Sequence, residues 1–246
     1  MKRYLHALAM CRSMFCAIPC FWRVWDEKAR DKMLLFLPVV GLETGAIWAL
    51  LACLCRYLAL PALVQGAVLG AYPFVVTGFI HLDGFMDVTD AVRSCRDLAR
   101  RREILKDSHV GSFAVIGVVL LALCQTALFA SAKTAASVWT LVLLPAVSRC
   151  GSALAVTVLR PMSTSQYAAQ KKPKSHIIVL CAQLAVYLAA GFLAGWRTGA
   201  ALCGCLAGYA LALRKAFRSL DGMNGDISGY ALTLSELCGA AVWALI

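Results

Sequence analysis

Apolar runs close to the length of a membrane span recur along the chain, at roughly 33–55, 61–80, 112–131, 137–159, 177–196, 198–213 and 229–246. A helix needs about 20 mainly apolar residues to cross the hydrocarbon core of a bilayer. The expected fold is therefore all-α, a polytopic transmembrane helical bundle of about seven spans. The sixth run is short, and Gly195-Trp196-Arg197-Thr198-Gly199 reads as a tight turn separating it from the fifth. Hydrophobic residues make up 61% of the 246 residues and charged residues only 15%, where a soluble domain carries about 25% charged. The shortfall follows from solvation by lipid, in which a charge is costly. No Pro/Ser/Gly-rich linker, low-complexity tract or internal repeat divides the sequence, so 1–246 is read as one integral membrane domain.

The basic residues fix an orientation for such a bundle. Segments 1–32, 81–111, 160–176 and 213–228 fall on one side of seven spans and together hold twenty Lys and Arg. The other side holds three, Arg56, Lys133 and Arg197. Lys and Arg accumulate in cytoplasmic loops, so the first group, with the N-terminus, is expected in the cytoplasm. The same asymmetry accounts for the net charge of +11, and no RNP-like, zinc-finger or helix-turn-helix pattern points to nucleic acid. Residues 1–32 mix Phe15, Ile18, Phe21, Trp22 and Trp25 with Arg12, Arg23 and Lys28. That fits an interfacial or re-entrant segment, or an ordinary cytoplasmic leader. A cleavable signal peptide is not expected, because Arg12 and Pro19 interrupt the only apolar stretch there. The twelve cysteines include no Cys-x-x-Cys with His at zinc spacing. Those inside apolar runs behave as small hydrophobes.

Chemistry concentrates just after the second run, in His81-Leu82-Asp83-Gly84-Phe85-Met86-Asp87-Val88-Thr89-Asp90. Asp83, Asp87 and Asp90 are spaced i, i+4, i+7, which at about 100° per residue places them within roughly a 60° sector of a helix. By the same spacing His81 points almost the opposite way. Three carboxylates on one stripe repel unless a cation sits among them, and Mg²⁺ commonly binds through one or two carboxylates plus substrate phosphates. The bland alternative is a solvated helix face in a loop. The apolar Phe85, Met86 and Val88 argue instead for the membrane interface. Downstream, Arg93, Arg96, Arg100, Arg101 and Arg102 precede Glu103, Lys106, Asp107 and Ser108. Cations and a metal within one loop can together hold a pyrophosphate during phosphoryl transfer. A last loop, Asp221-Gly222-Met223-Asn224-Gly225-Asp226, offers glycine backbone to a phosphate and Asp226 to a metal. Glu43, Arg149 and Glu236 lie inside apolar runs, where ionisable groups are functional candidates, although Glu43 could simply pair with a neighbour.

These residues resemble the cobalamin synthase family, the adenosylcobinamide-GDP ribazoletransferases. The resemblance rests on Gly78 to Asp90, on Glu103-x-x-Lys106-Asp107-Ser108-x-x-Gly111, and on Gly225-Asp226 with Glu236. Phe15-x-x-Ile18-Pro19 and Ser148-Arg149 also match. Three positions depart from the pattern: Ala17 stands for Thr, Ala91 for Gly and Asn224 for Thr. No carboxylate is lost. The resemblance implies Mg²⁺-dependent joining of adenosylcobinamide-GDP to α-ribazole or its 5′-phosphate, with release of GMP, in a bacterial cell membrane and facing the cytoplasm. On that basis Asp83, Asp87, Asp90 and Asp226 are the expected metal ligands. Asp83, Asp87 and Lys106 are the expected catalytic residues. His81, Arg93, Arg102, Glu103, Lys106, Asp107, Ser108, Arg149, Gly225 and Glu236 form the wider substrate-binding set. The expected partners are small-molecule substrates and the lipid bilayer, with homo-oligomerisation left open.

Two other classes compete. A cation transporter or channel would carry its carboxylates at mid-membrane, not just outside a span. A CDP-alcohol phosphotransferase would carry an Asp-Gly-x-x-Ala-Arg segment, where this chain has Asp83-Gly84-Phe85-Met86-Asp87-Val88.

Overall fold

A computed structural model of the chain describes residues 2–132, 137–163, 165 and 173–246. Lys133, Lys171 and Lys172, which enter the charge asymmetry, lie outside the described residues. The helices in chain order are α1 Lys2–Phe15, α2 Leu37–Tyr57, α3 Ala62–Val76, α4 Ile80–Arg93, α5 Leu98–Ile104, α6 Ser112–Ser131, α7 Val138–Val158, α8 Lys174–Ala194, α9 Trp196–Leu220 and α10 Gly225–Leu245. A 3-10 turn, Arg30–Phe36, leads directly into α2. Among the described residues there is no strand, and one isolated bridge joins Pro161 to Met223. The chain is a polytopic all-α bundle.

Five helices are long and apolar enough to cross a membrane: α2 with its leading turn, α6, α7, α8 and α9. A sixth is reached if α3 and α4 count as one broken span. All seven apolar runs carry helix, but three differ from the sequence expectation. The run 61–80 is not a straight span, because α3 ends at Val76 and α4 leaves it at 91°. The sixth run is not short: α9 has 25 residues. Its last two turns, with Arg214, Lys215 and Arg218, are amphipathic and drop out of any purely apolar criterion. α10 has 21 residues but is not among the five. It buries Ser228, Thr233, Ser235 and Glu236, which lowers its hydropathy and marks it as an inner helix.

Burial sorts the helices into layers. In α7 78% of the span is buried, against 22% in α6 and 11% in α8. α7 is thus the hub, while α6 and α8 present their flanks to lipid. Two apolar clusters fill the bundle. One gathers Met10, Phe15, Met33, Val88, Met223 and Ile227 around the ends of α1, α4 and α10. The other gathers Trp48, Leu69, Phe129, Leu141 and Trp243 at the opposite end of α7 and α10. Its indoles satisfy their N–H groups on backbone oxygens, Trp48 on Leu69 at 3.0 Å and Trp243 on Ser137 at 3.1 Å, as buried donors require.

Between the clusters Arg149 donates to Glu236 at 2.9 Å, and the same carboxylate oxygen accepts from Ser148 at 2.8 Å. This ion pair joins α7 to α10. Near it, Arg12 of α1 pairs with Glu43 of α2, its Nε lying 2.9 and 3.1 Å from the two carboxylate oxygens. The N-terminal segment is therefore a docked helix rather than a free leader, and Glu43 has the neighbouring partner considered from sequence.

Candidate active site

The bend before α4 is where the site begins. The Thr77 hydroxyl donates back to Pro73 O at 2.9 Å and lies 3.2 Å from Phe74 O, and Gly78 and Phe79 follow with φ of +59° and +65°. Two consecutive left-handed residues stop the helix, and glycine takes the first at little cost. The N-terminal segment braces the turn from outside: Ala17 N–H donates to Val76 O at 2.7 Å. The Phe15-x-x-Ile18-Pro19 stretch thus sets the direction in which α4 departs, and the departure at Ala17 falls on this brace.

α4 then packs against α10 at very short range. A Cβ on Gly84 would sit 2.8 Å from both Cα and O of Asp226, so only glycine permits the approach. Asp226 occupies the first turn of α10, which Asn224 caps by accepting from Ile227 N–H at 3.0 Å. The Asn224 amide also donates to Asp226 at 2.7 Å. At this departure from the family pattern, Asn is a competent N-cap and orients the neighbouring carboxylate. Asp83 and Asp226 line one cavity of about 120 Å³ with His81, Phe15, Gly225 and Ser228. Asp83 also borders a wider recess of about 520 Å³, walled by Ser13, Cys16, Ala17, Thr77 and Gly78. His81 lines the same cavity although helical spacing turns it away from the acids, because the cavity wraps around the first turn of α4. Its ring stacks on Phe15 at 6.0 Å, and its buried Nε2 has no hydrogen-bond partner. Burial, and then the charge of Arg149, push its pKa down to about 3, so the ring is neutral.

The other acids of the stripe have different environments. Asp87 is half-buried on the α4 limb, outside the five spans. Burial, followed by the negative charges of Asp83, Asp226 and Asp90, pushes its carboxyl up to about 7. Asp90 is buried, and its two oxygens accept from the backbone N–H groups of Gly111 and Ala114 at the start of α6.

Several side chains of the basic loop are engaged within the protein itself. Arg102 donates to Leu220 O at 3.0 Å and Asp221 O at 2.7 Å, Arg101 reaches Ser219 O at 3.3 Å, and Arg160 pairs with Asp221. These guanidinium groups satisfy the last carbonyls of α9 and complement its dipole. Glu103 pairs with Arg100 at 2.7 Å and Asp107 with His109 at 2.7 Å, both on the surface. Hydrogen bonds from His109 hold the Asp107 carboxyl below its ordinary range. Lys106 and Ser108 are exposed. None of these loop residues lines either cavity. Arg93 lies on the other face of α4, and Arg149 with Glu236 is enclosed in the bundle. The residues brought together are Asp83, Asp87, Asp226, Gly225 and His81.

Sequence reasoning passed over Ser152 and Ser228, whose hydroxyls meet at 2.6 Å beside Asp226 in the smaller cavity. Two serines 76 residues apart carry no local signal of meeting.

Among the described residues no group of three or more His, Cys, Asp or Glu side chains is placed to hold a metal ion. A closed protein shell is not what Mg²⁺ requires, since it keeps waters and takes substrate oxygens. The donors present fit it on that basis. Asp83 and Asp226 share a cavity wall, and Asp87 lies near enough to both to feel their charge.

The fold and site define a polytopic all-α membrane protein with an acidic pocket at the junction of α4 and α10. The chain matches the model of the cobalamin-5-phosphate synthase family over residues 7–244 and belongs to that family. It is 34% identical to the adenosylcobinamide-GDP ribazoletransferase of Clostridium perfringens (strain 13 / Type A), over 100% of both chains. It is 32% identical to the protein of that name from Clostridium botulinum (strain Alaska E43 / Type E3), over 97% of each. The identity to that of Lachnoclostridium phytofermentans is 29%, over 98% of this chain and 94% of the other. No solved structure matches the chain.

Proposed function

We propose that the chain is an adenosylcobinamide-GDP ribazoletransferase, using Mg²⁺ and working at the cytoplasmic face of a bacterial cell membrane. Family membership supports the reaction. The observation that carries the site is the Gly84–Asp226 contact, which sets carboxylates from α4 and α10 around one cavity. In the reaction a ribose hydroxyl of α-ribazole, or of its 5′-phosphate, attacks the cobinamide-side phosphorus of the pyrophosphate. A new P–O bond forms, the bond to GMP breaks, and the hydroxyl proton passes to a carboxylate.

Asp83 and Asp226, with Asp87 beside them, would hold the metal, and Asp90 braces the stripe from behind. When bound, Mg²⁺ supplies charge neutralisation for the pyrophosphate oxygens. Asp87, half-buried beside Asp83 and Asp226, is the residue to accept the hydroxyl proton. Neutral His81 can offer or accept a hydrogen bond at Nε2. Lys106, exposed on the loop between α5 and α6, is free to reach a phosphate of bound substrate.

The test is GMP release by the protein in lipid, given adenosylcobinamide-GDP and α-ribazole with and without Mg²⁺. Absence of GMP with metal present overturns the reaction. Undiminished turnover in Asp83→Asn and Asp226→Asn overturns the site.

A further inference from the structure

On the face of α4 turned away from the acids, a cavity of about 480 Å³ opens between α4, α6, α9 and α10. Its size falls within the range of about 300–1,000 Å³ for small-molecule sites. The inner wall is apolar and aromatic: Phe85 and Tyr230 stack at 5.8 Å, and Leu121 and Leu234 continue it. The outer rim belongs to α6, where Ile116 and Leu120 are 54% and 57% exposed on a helix whose span is only 22% buried. A rim on a lipid-facing flank makes the cavity open sideways into the bilayer.

Three polar groups stand in this apolar groove. Thr89 is 7% exposed, and its buried hydroxyl has no hydrogen-bond partner. Arg93 ends α4 and Lys215 lies near the end of α9; neither makes a hydrogen bond or ion pair among the described residues. Both cations lie toward the same end of the bundle as the basic loops. Long cationic side chains at that level reach the headgroup layer. There they attract anionic lipid.

We propose that this groove binds one anionic phospholipid of the surrounding bilayer. An acyl chain lies between α6 and α10, the phosphate sits at Arg93 and Lys215, and the Thr89 hydroxyl donates to an ester carbonyl. The site is separate from the acidic pocket, since α4 itself stands between them. The positive charge of Arg93 and Lys215, together with the lipid-facing rim, selects this occupant over a water-borne one.

The full chain in mixed phosphatidylglycerol and phosphatidylcholine nanodiscs, released into native mass spectrometry, tests this. The expected result is one phosphatidylglycerol retained per chain in preference to phosphatidylcholine. Arg93→Gln with Lys215→Gln loses that preference by about thirtyfold, on the order of fivefold per cation. Arg93→Lys with Lys215→Arg keeps it, which separates charge from folding. Cys124→Trp, filling the apolar part of the groove, lowers retention of both lipids. Equal retention of the two lipids by the unaltered chain, or full phosphatidylglycerol retention by the Gln pair, overturns the proposal. Displacement of the lipid by adenosylcobinamide-GDP also overturns it, by making the groove a substrate subsite.

Discussion

The carboxylate of Asp90 accepts a hydrogen bond from the backbone N–H of Gly111 at 2.7 Å. Its other oxygen accepts from Ala114 at 3.0 Å, so the last acid of the stripe caps a helix other than its own. Gly111, at the N-cap position of α6, has no side chain to do this. Asp90 supplies the missing acceptor and places a negative charge at the positive end of the α6 dipole.

Asp90→Ala is therefore expected to act mainly on stability. Losing a cap and leaving two N–H groups of a partly buried helix start unmet should cost about 2–3 kcal/mol. A lowered thermal transition, with Mg²⁺ affinity reduced less than in Asp83→Asn, is the expected pattern. Calorimetric titration of both variants checks it, and the reverse order would return Asp90 to the metal shell.

How far the sequence discloses this arrangement depends on the range of the interaction. Apolar runs identify α2, α6, α7 and α8 because lipid solvation acts residue by residue. The i, i+4, i+7 spacing puts Asp83, Asp87 and Asp90 on one helix for the same local reason. The bend at Gly78 and Phe79 is hidden, since Val75 to Ile80 stays apolar through the break and hydropathy does not sense φ. The uses of Arg102 and Asp90 are hidden for another reason. A guanidinium that caps a helix 118 residues away has the same local sequence as one that binds phosphate. Arg149 and Glu236 stand out as intramembrane charges, but only packing shows that they neutralise each other.

That pair gives a second prediction. Removing one partner leaves a buried charge, so Arg149→Ala or Glu236→Ala should each destabilise by about 3–5 kcal/mol. An apolar replacement of both, Arg149→Met with Glu236→Leu, should recover much of the loss. Denaturant melts of the three variants in detergent measure this. A double variant as unstable as the singles would assign the pair a role beyond mutual neutralisation.

Gly84→Ala forms a third. The added methyl meets the Asp226 backbone at 2.8 Å, which has no freedom to yield, so α4 must retreat from α10. GMP release should fall at least tenfold, while Gly225→Ala, whose Cβ meets nothing within 4 Å, should be milder on steric grounds. Steady-state assays of both variants give the comparison.

The fourth concerns pH. An Asp87 carboxyl held near 7 in the metal-free fold, against 3.8 ordinarily, keeps its proton when the unfolded chain has lost its own. Stability without metal should then decline as pH rises from about 4 to about 7, because the folded state binds more protons across that window. Mg²⁺ competes with the same proton, so its affinity should strengthen over the window and level off above it. Thermal melts in chelator and in Mg²⁺ at pH 5.5 and 8 are the check; a metal-induced shift no larger at pH 8 would contradict it.

The contact of Gly84 with Asp226 also has a meaning in time. The acidic stripe leaves the ribosome early, but its partner carboxylate arrives on α10, 136 residues after Asp90. Until then three acids on one helix face wait without the wall that completes their cavity, while translation proceeds at about 5–20 residues per second. The site is thus a product of the finished chain. A ribosome stalled before α10 leaves a membrane-inserted protein that has its aspartates and no pocket.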